Sequence, residues 1–343
     1  MRENQWTALE RLGRATATLL PLLVLLAAIG CDRKSSPGSA DTEAVLYTSV
    51  DEPYARPVVE AFEKKTGIHV TLLTDAEASK SVGLAQRVLA EKDHPQADVW
   101  WDNECFLAIN LADQGVLAAY DSPAGRDIPA RYKDPDHRWA GSVLRVRVMV
   151  STGDTRAVHL TDLLHADMKK RIAIARPTAG TTGGHVAALY VLWGSQRADA
   201  FFHGLRDNGV SLLGGNSVVA ETVARGDMRA GLCDNDDAAD AASEVGKLNT
   251  IMPDQGEGED GTLAMPCAVA LVHNCPHPNA ARQLIDYLLS AEVDRELLEH
   301  KFAWCSTRDA AAKGRFMNVD YRAVAREMPA AVRRATAILD GRE

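Results

Sequence analysis

Ala44-Val-Leu-Tyr-Thr-Ser49, Ile68-His-Val-Thr-Leu-Leu73 and Ala97-Asp-Val-Trp-Trp101 are three short apolar runs, and what lies between them decides the fold. Each is rich in β-branched and aromatic residues and reads as a strand. The first breaks at Val50-Asp-Glu-Pro53, and Pro53 suits the first turn of a helix. Val58, Val59 and Phe62 then recur at helical spacing until Thr66-Gly67 stops them. Val82, Ala85, Val88 and Leu89 mark a second helix between Ser79 and Lys92, and Phe106 to Gln114 a third. This βαβαβα rhythm predicts a parallel sheet with helices on its faces. In such sheets ligands sit beyond the carboxyl ends of the strands. Here those ends are Ser49-Val-Asp51-Glu52 and Asp102-Asn103-Glu104, so two strand ends direct acidic and amide groups at one crevice. Taken singly, each carboxylate suits a helix cap as well.

Further along, Trp139 to Val150 reads as a long strand in which Arg145 and Arg147 alternate with valines. The two arginines are either exposed edge residues or partners of site acids. Arg171 to Ala175 is another strand, followed by Arg176-Pro-Thr178-Ala179-Gly180-Thr181-Thr182-Gly-Gly-His185 and a helix from Val186 to Trp193. Strand, Gly/Thr loop and helix in that order offer backbone amides and hydroxyls to an anion. No Gly-Lys-Ser/Thr ends the loop, so it is not a nucleotide P-loop; a plain glycine-rich turn with threonine caps is the other reading. Leu213-Gly-Gly-Asn216-Ser217 leads into a further helix, with Asn216 and Ser217 as caps or ligand donors. Ala230-Gly-Leu-Cys-Asp234-Asn-Asp236-Asp237 then crowds three carboxylates together. Adjacent like charges raise each other's cost of ionising. The group therefore either lies in water at a helix start or faces a cation. Gly261 to Val272 is a returning buried strand. Helices over Ala280 to Ser290, Val293 to His300 and Val319 to Leu339 complete the chain.

The 343 residues are enough for two lobes with cores of their own. Net charge is −9, which argues against nucleic acid as a partner. Arg11 and Arg14 precede the apolar run Ala15 to Ile29, which is short for a membrane span and ends at Gly30-Cys31. Residues 1–30 resemble a bacterial lipoprotein signal peptide, with Cys31 as the lipidated residue and 31–43 as a tether; an ordinary signal peptide or an uncleaved anchor is the other reading. The lipid would hold the protein on the periplasmic face of a bacterial membrane. The other cysteines have no CxxC spacing, so no zinc site is expected. Apart from His273 and His277 the histidines lack HxxxH or HxH spacing, and no GxSxG elbow occurs, so neither an enzyme nor a catalytic cofactor is expected.

Leu46-Tyr-Thr-Ser49, Phe62-Glu-Lys-Lys-Thr-Gly-Ile68, Gln96-Ala-Asp-Val99, Pro177-Thr-Ala-Gly180, Asn216-Ser217, Ala230-Gly-Leu232 and His277-Pro-Asn-Ala-Ala-Arg282 follow one another in a telling order. Together they resemble the ferric-iron family of periplasmic solute-binding proteins of ABC importers. The resemblance implies an α/β, two-lobed class II periplasmic-binding-protein fold. Each lobe would be a mostly parallel sheet flanked by helices, with crossing strands joining the two. Lobe 1 would begin over 44–146, lobe 2 would cover 147–265, and 266–343 would return to lobe 1 with C-terminal helices. It also implies a monomer that shuts on its solute and delivers it to a permease and its ATPase.

In that family a Thr/Ser-Gly loop and nearby asparagines hold a synergistic anion, and Thr178, Ala179, Gly180 and Asn216 match those positions. The family's metal-gripping Tyr-Tyr pair is replaced here by Asp236-Asp237. The resemblance thus points to ferric iron with a small anion, gripped by Asp236, Asp237 and Glu104. Ser49, Asp51, Glu52, Asn103, Glu104, Thr178, Ala179, Gly180, Thr181, Asn216, Ser217 and Asp234 would line the rest of the site. Carboxylates suit other hard cations as readily, or an organic ammonium group. The alternative is therefore the same role for an aminophosphonate, a polyamine or a phosphorylated compound. Tyr54 either packs on its helix or supplies one phenolate.

Overall fold

A computed structural model describes residues 42–74, 82–153, 155, 157–178, 180–246 and 248–343. The expected signal peptide, almost all of the tether, Cys31 and Ala179 lie outside the described residues. From residue 40 onward the chain forms one compact unit.

The opening rhythm folds as its pattern dictates. Strand β1 (Glu43–Thr48) leads to α1 (Glu52–Thr66), which starts on Pro53 and ends where Gly67 takes φ 75° and gives its amide to Glu63 O. Strand β2 (His69–Thr74), helix α2 (Val82–Ala90), strand β3 (Val99–Trp101) and helix α3 (Phe106–Asp113) follow. β1 lies between β2 and β3 and is parallel to both. Val58, Val59 and Phe62 of α1 and Trp100 and Trp101 of β3 are buried in the core these elements share.

A two-residue strand, β4 (Leu117–Ala118), precedes the long β5 (Ala140–Ser151). The second parallel set is β6 (Ile172–Ala175), β7 (Ser211–Leu213) and β8 (Ala230–Asp234), with β6 in the middle. Helix α4 (Gly180–Asp207) joins β6 to β7, and α5 (Asn216–Ala224) joins β7 to β8. After β8 come α6 (Asn235–Val245), β9 (Asn249–Ile251) and β10 (Ala264–Val272). Helices α7 (Pro278–Leu288) and α8 (Ala291–Glu299), strand β11 (Cys305–Ser306) and α9 (Tyr321–Leu339) end the chain.

Two antiparallel strands weld the parallel sets together, in the order β2-β1-β3-β10-β5-β8-β6-β7. β10 runs against β3 on one edge and β5 on the other. β5 changes partner midway: Val146 is opposite Ala264 of β10, and the next residue, Arg147, is opposite Asp234 of β8. One strand thus serves both sheets. This is the α/β architecture expected from the sequence, with mostly parallel sheets flanked by helices and joined by crossing strands.

Three features differ from the sequence reading. β5 is central, so Arg145 and Arg147 are buried and the exposed-edge reading of them fails. The helix after the Gly/Thr loop begins at Gly180, not Val186, and continues past a break at Gly194 (φ 72°) to Asp207. β7 ends at Leu213, where the Gly-Gly loop was expected to begin, and the strand itself is not legible in the sequence because three half-buried residues are too few to show a period. Finally, α9 lies along both α4 and α3. Gly183 of α4 faces Met328 and Val332 of α9, and a Cβ on Gly184 would overlap the Phe106 ring of α3.

Candidate functional site

The site grows from the junction of β8 and α6. Asp234 ends β8 in extended conformation and acts as the N-cap position of α6. Its side chain turns inward and is 1% exposed. Thr181 Oγ, in the first turn of α4, donates to Asp234 Oδ2 at 2.6 Å. Asn216 Nδ2, which opens α5, donates to the same oxygen at 3.1 Å. Thr182 Oγ reaches Asn216 Oδ1 at 3.1 Å. The N-termini of α4, α5 and α6 therefore converge around one carboxylate. Such ends carry unpaired amides and a partial positive charge. The sequence puts them there because all three helices follow strands of one parallel sheet, whose carboxyl ends share an edge.

Buried arginines balance the acids. Arg147 Nη1 lies 2.7 Å from Asp234 Oδ1 and donates to Asn216 Oδ1 at 3.0 Å. Arg145 Nη2 sits 2.6 and 2.5 Å from the two oxygens of Asp236, and 3.3 Å from Asp234 Oδ2. Burial alone would raise the Asp234 pKa, but Arg147 and Arg145 together hold it below the usual carboxylate range. At Asp236 burial wins, helped by Asp234, and the pKa rises to about 6 despite Arg145. Burial also works against the charge on Arg145, yet Asp236, Asp234 and Asp237 outweigh it and raise its pKa. A charge removed from water is tolerable only when paired, and breaking such a pair costs about 3–5 kcal/mol. The cation faced by the acidic run is, in this structure, supplied by β5.

The second sheet edge contributes a smaller network. Ser49 Oγ donates to Asp102 Oδ1 and accepts the Asn103 amide at 3.0 Å. Asn103 Nδ2 reaches Ser49 O at 3.4 Å. Asp102 is fully buried, and burial pushes its carboxyl up to about 7, although Ser49 and the Asn103 amide pull the other way. Asp51, just before α1, is close enough to Asp236 to favour the protonated form there. Tyr54 Oη donates to both oxygens of Asp240 on α6, at 2.8 and 2.9 Å, and its ring centroid is 5.1 Å from that of Phe302. Arg145 lies over the Phe302 ring at 5.4 Å.

The expected site residues thus fall into groups. Thr181, Asn216, Asp234 and Asp236 are bonded into one network with Arg145 and Arg147, and Asp237 lies within its electrostatic reach. Thr178 is exposed, and Gly180 and Ser217 are partly exposed, near the starts of α4 and α5. Ser49, Asn103 and Asp51 lie at the ends of β1 and β3. Two expectations are corrected. Glu104 is fully buried and its oxygens accept the Phe106 and Leu107 amides at the start of α3, so it caps a helix and does not face a ligand. Glu52 is exposed and its Oε1 is 2.7 Å from Arg56 Nε one turn along α1, so it is paired on its own helix.

His185 appeared in the sequence only as the last residue of the Gly/Thr loop. It is buried in the second turn of α4, with no hydrogen-bond partner for Nε2. Burial and Arg147 drive its pKa down to about 3, so it is a neutral imidazole beside the network. Its only signal was its distance from Thr181, one helical turn.

A model of the bacterial extracellular solute-binding protein family matches residues 45–302. The chain belongs to that family. Relatives of this solute-binding protein differ in what their names say they bind. A putative 2-aminoethylphosphonate-binding periplasmic protein of Salmonella paratyphi A is 23% identical over 275 residues, which is 77% of this chain and 79% of that one. Iron-bound HitA of Pseudomonas aeruginosa is 22% identical, with a TM-score of 0.76 over 86% of this chain and 99% of that chain. AfuA of Actinobacillus pleuropneumoniae, solved with fructose-6-phosphate, is 20% identical, with a TM-score of 0.75 over 87% and 98%. The shared fold is that of two-lobe, ferric-type periplasmic binding proteins.

Proposed function

We propose that this solute-binding protein captures a small organic solute bearing a phosphate or phosphonate group and hands it to a membrane permease with its ATPase. The observation that carries the reading is the resident guanidinium. Arg145 already occupies the position between Asp234 and Asp236 at which a cation would be held. A highly charged metal ion there would be repelled by two buried arginines, and the phenolate pair that suits ferric iron is absent. An anion has the better prospect. The starts of α4 and α5 meet beside Arg147, and Thr178, Gly180, Thr182 and Ser217 keep some surface there. The solute's ammonium or hydroxyl groups would then face Asp51 and Asp237. The aminophosphonate-binding name of one relative and the fructose-6-phosphate held by another support this class.

The working cycle is closure of two lobes about β5 and β10, with residues 44–146 and 266 onward in one lobe and 147–265 in the other. Solute contacts made only in the shut form would drive it. Lipid on Cys31 would keep the monomer at the membrane face.

Ferric iron is the second reading. Its support is that Asp234, Asp236 and Asp237 each bring a carboxylate oxygen within 4.8 Å of the others, and that iron binders stand among the relatives. Titration calorimetry of the stripped mature chain separates the two. Heat with 2-aminoethylphosphonate or fructose-6-phosphate, weakened at least tenfold by Asp237→Asn, is the expected result. Heat with ferric citrate alone would overturn it in favour of iron.

A further inference from the structure

A second group of metal-ligating side chains lies outside this network. The loop from Met252 to Asp260 turns back on itself: Gly261 N donates to Asp254 O at 3.0 Å and Asp254 N to Val158 O at 2.9 Å. Gln255 fixes the loop to the chain before α9, with Nε2 3.0 Å from Arg315 O and Oε1 2.8 Å from Arg315 N. The loop's Asp254 and Glu259 thereby meet His159, almost a hundred positions earlier. His159 Nδ1 is 3.5 Å from Asp254 Oδ1 and 3.0 Å from Glu259 Oε1. All three are partly buried.

Two facts distinguish this group from a solvated acidic loop. First, a single ring nitrogen faces two carboxylate oxygens and can give a proton to only one of them. A metal ion would be bound by all three groups at once. Second, the two distances from His159 fit, and the carboxylate oxygens lie within 4.8 Å of each other. Divalent first-row ions bind imidazole nitrogen and carboxylate oxygen at about 2.0–2.2 Å, which sets neighbouring donors roughly 3.0–3.5 Å apart. The outer contacts are also in place: Glu259 Oε2 accepts the Gly256 amide at 2.6 Å, leaving Oε1 for the site, and Asp254 Oδ1 accepts the Leu160 amide at 3.3 Å.

We propose that His159, Asp254 and Glu259 form a binding site for a divalent first-row metal ion such as Zn2+ or Mn2+, with water completing its coordination. One imidazole and two carboxylates are an N/O donor set that these ions accept. The ion would pin the loop to the turn at 158–164 and so fix the approach to β10. The proposal is independent of what the solute is.

The test is calorimetry of the mature chain, stripped with EDTA, against ZnCl2 and MnCl2. His159→Asn, Glu259→Gln and, as a control, Asp236→Asn are compared, with circular dichroism to confirm folding. One site is expected for at least one ion, with affinity lowered tenfold or more by His159→Asn and by Glu259→Gln and unchanged by Asp236→Asn. As a second readout, the ion should raise the melting temperature of the unsubstituted chain but not of His159→Asn. No heat with either ion, or heat lost only in Asp236→Asn, would overturn the proposal.

Discussion

Asp102 shows how much a single buried carboxyl can reveal. Its pKa is about 7 in the folded chain and ordinary in the unfolded one, so between about pH 4 and 7 the folded state holds a proton that the unfolded state has lost. Stability contributed at this residue is therefore present in acid and declines as pH rises to about 7. Asp102→Asn keeps an acceptor for Ser49 and removes the ionisation. Its melting temperature should exceed that of the parent at pH 8 and approach it at pH 5. An equal gap at both values would show that Asp102 is not the titrating group. Residue identity was only partly legible here. The sequence displayed Asp102, Glu104, Asp234 and Asp236 as acids near strand ends, and that placement is what the structure shows. Their partners it offered only as one of two readings of Arg145 and Arg147. Arg145 and Arg147 lie about ninety positions from Asp234 and Asp236, and only the pairing of β5 with β8 brings them together.

Among the elements, α3, α4 and α9 approach one another closely. Gly184 lets α4 come close to Phe106 of α3, and Gly183 admits Met328 of α9. Gly184→Ala would improve helix propensity yet force the Phe106 ring to move. Overpacking of this kind costs about 1–3 kcal/mol and should exceed the propensity gain of under about 1 kcal/mol. Urea melts should show a net loss; a gain would mean that the helices part without cost. The periodic elements were legible because their apolar residues recur at 2 or 3.6 positions, as in α1, β5 and α9. Among the strands of two or three residues, β4, β7, β9 and β11 offer no period to read, whereas β3 was legible because its apolar run reaches back to Ala97. The Gly-rich start of α4 was read as loop because close packing, not propensity, explains its glycines.

For the molecule as a whole, the two sheets share β5, and side chains also meet across them. Tyr54 of α1 bonds to Asp240 of α6, while burial and Asp240 both keep its hydroxyl protonated. If closure is the working motion, this contact favours the shut form before any solute arrives. Tyr54→Phe should remove about 1 kcal/mol from that form, roughly a fivefold shift in population. Small-angle scattering of solute-free protein would then give a larger radius of gyration, with the solute-bound value unchanged. Identical curves without solute would assign Tyr54 a packing role only.

The place of α9 has one more consequence. This helix covers α4 and α3, which lie well over a hundred positions earlier in the chain. The buried faces of those two helices therefore stay open to water until residues 321–339 have been made.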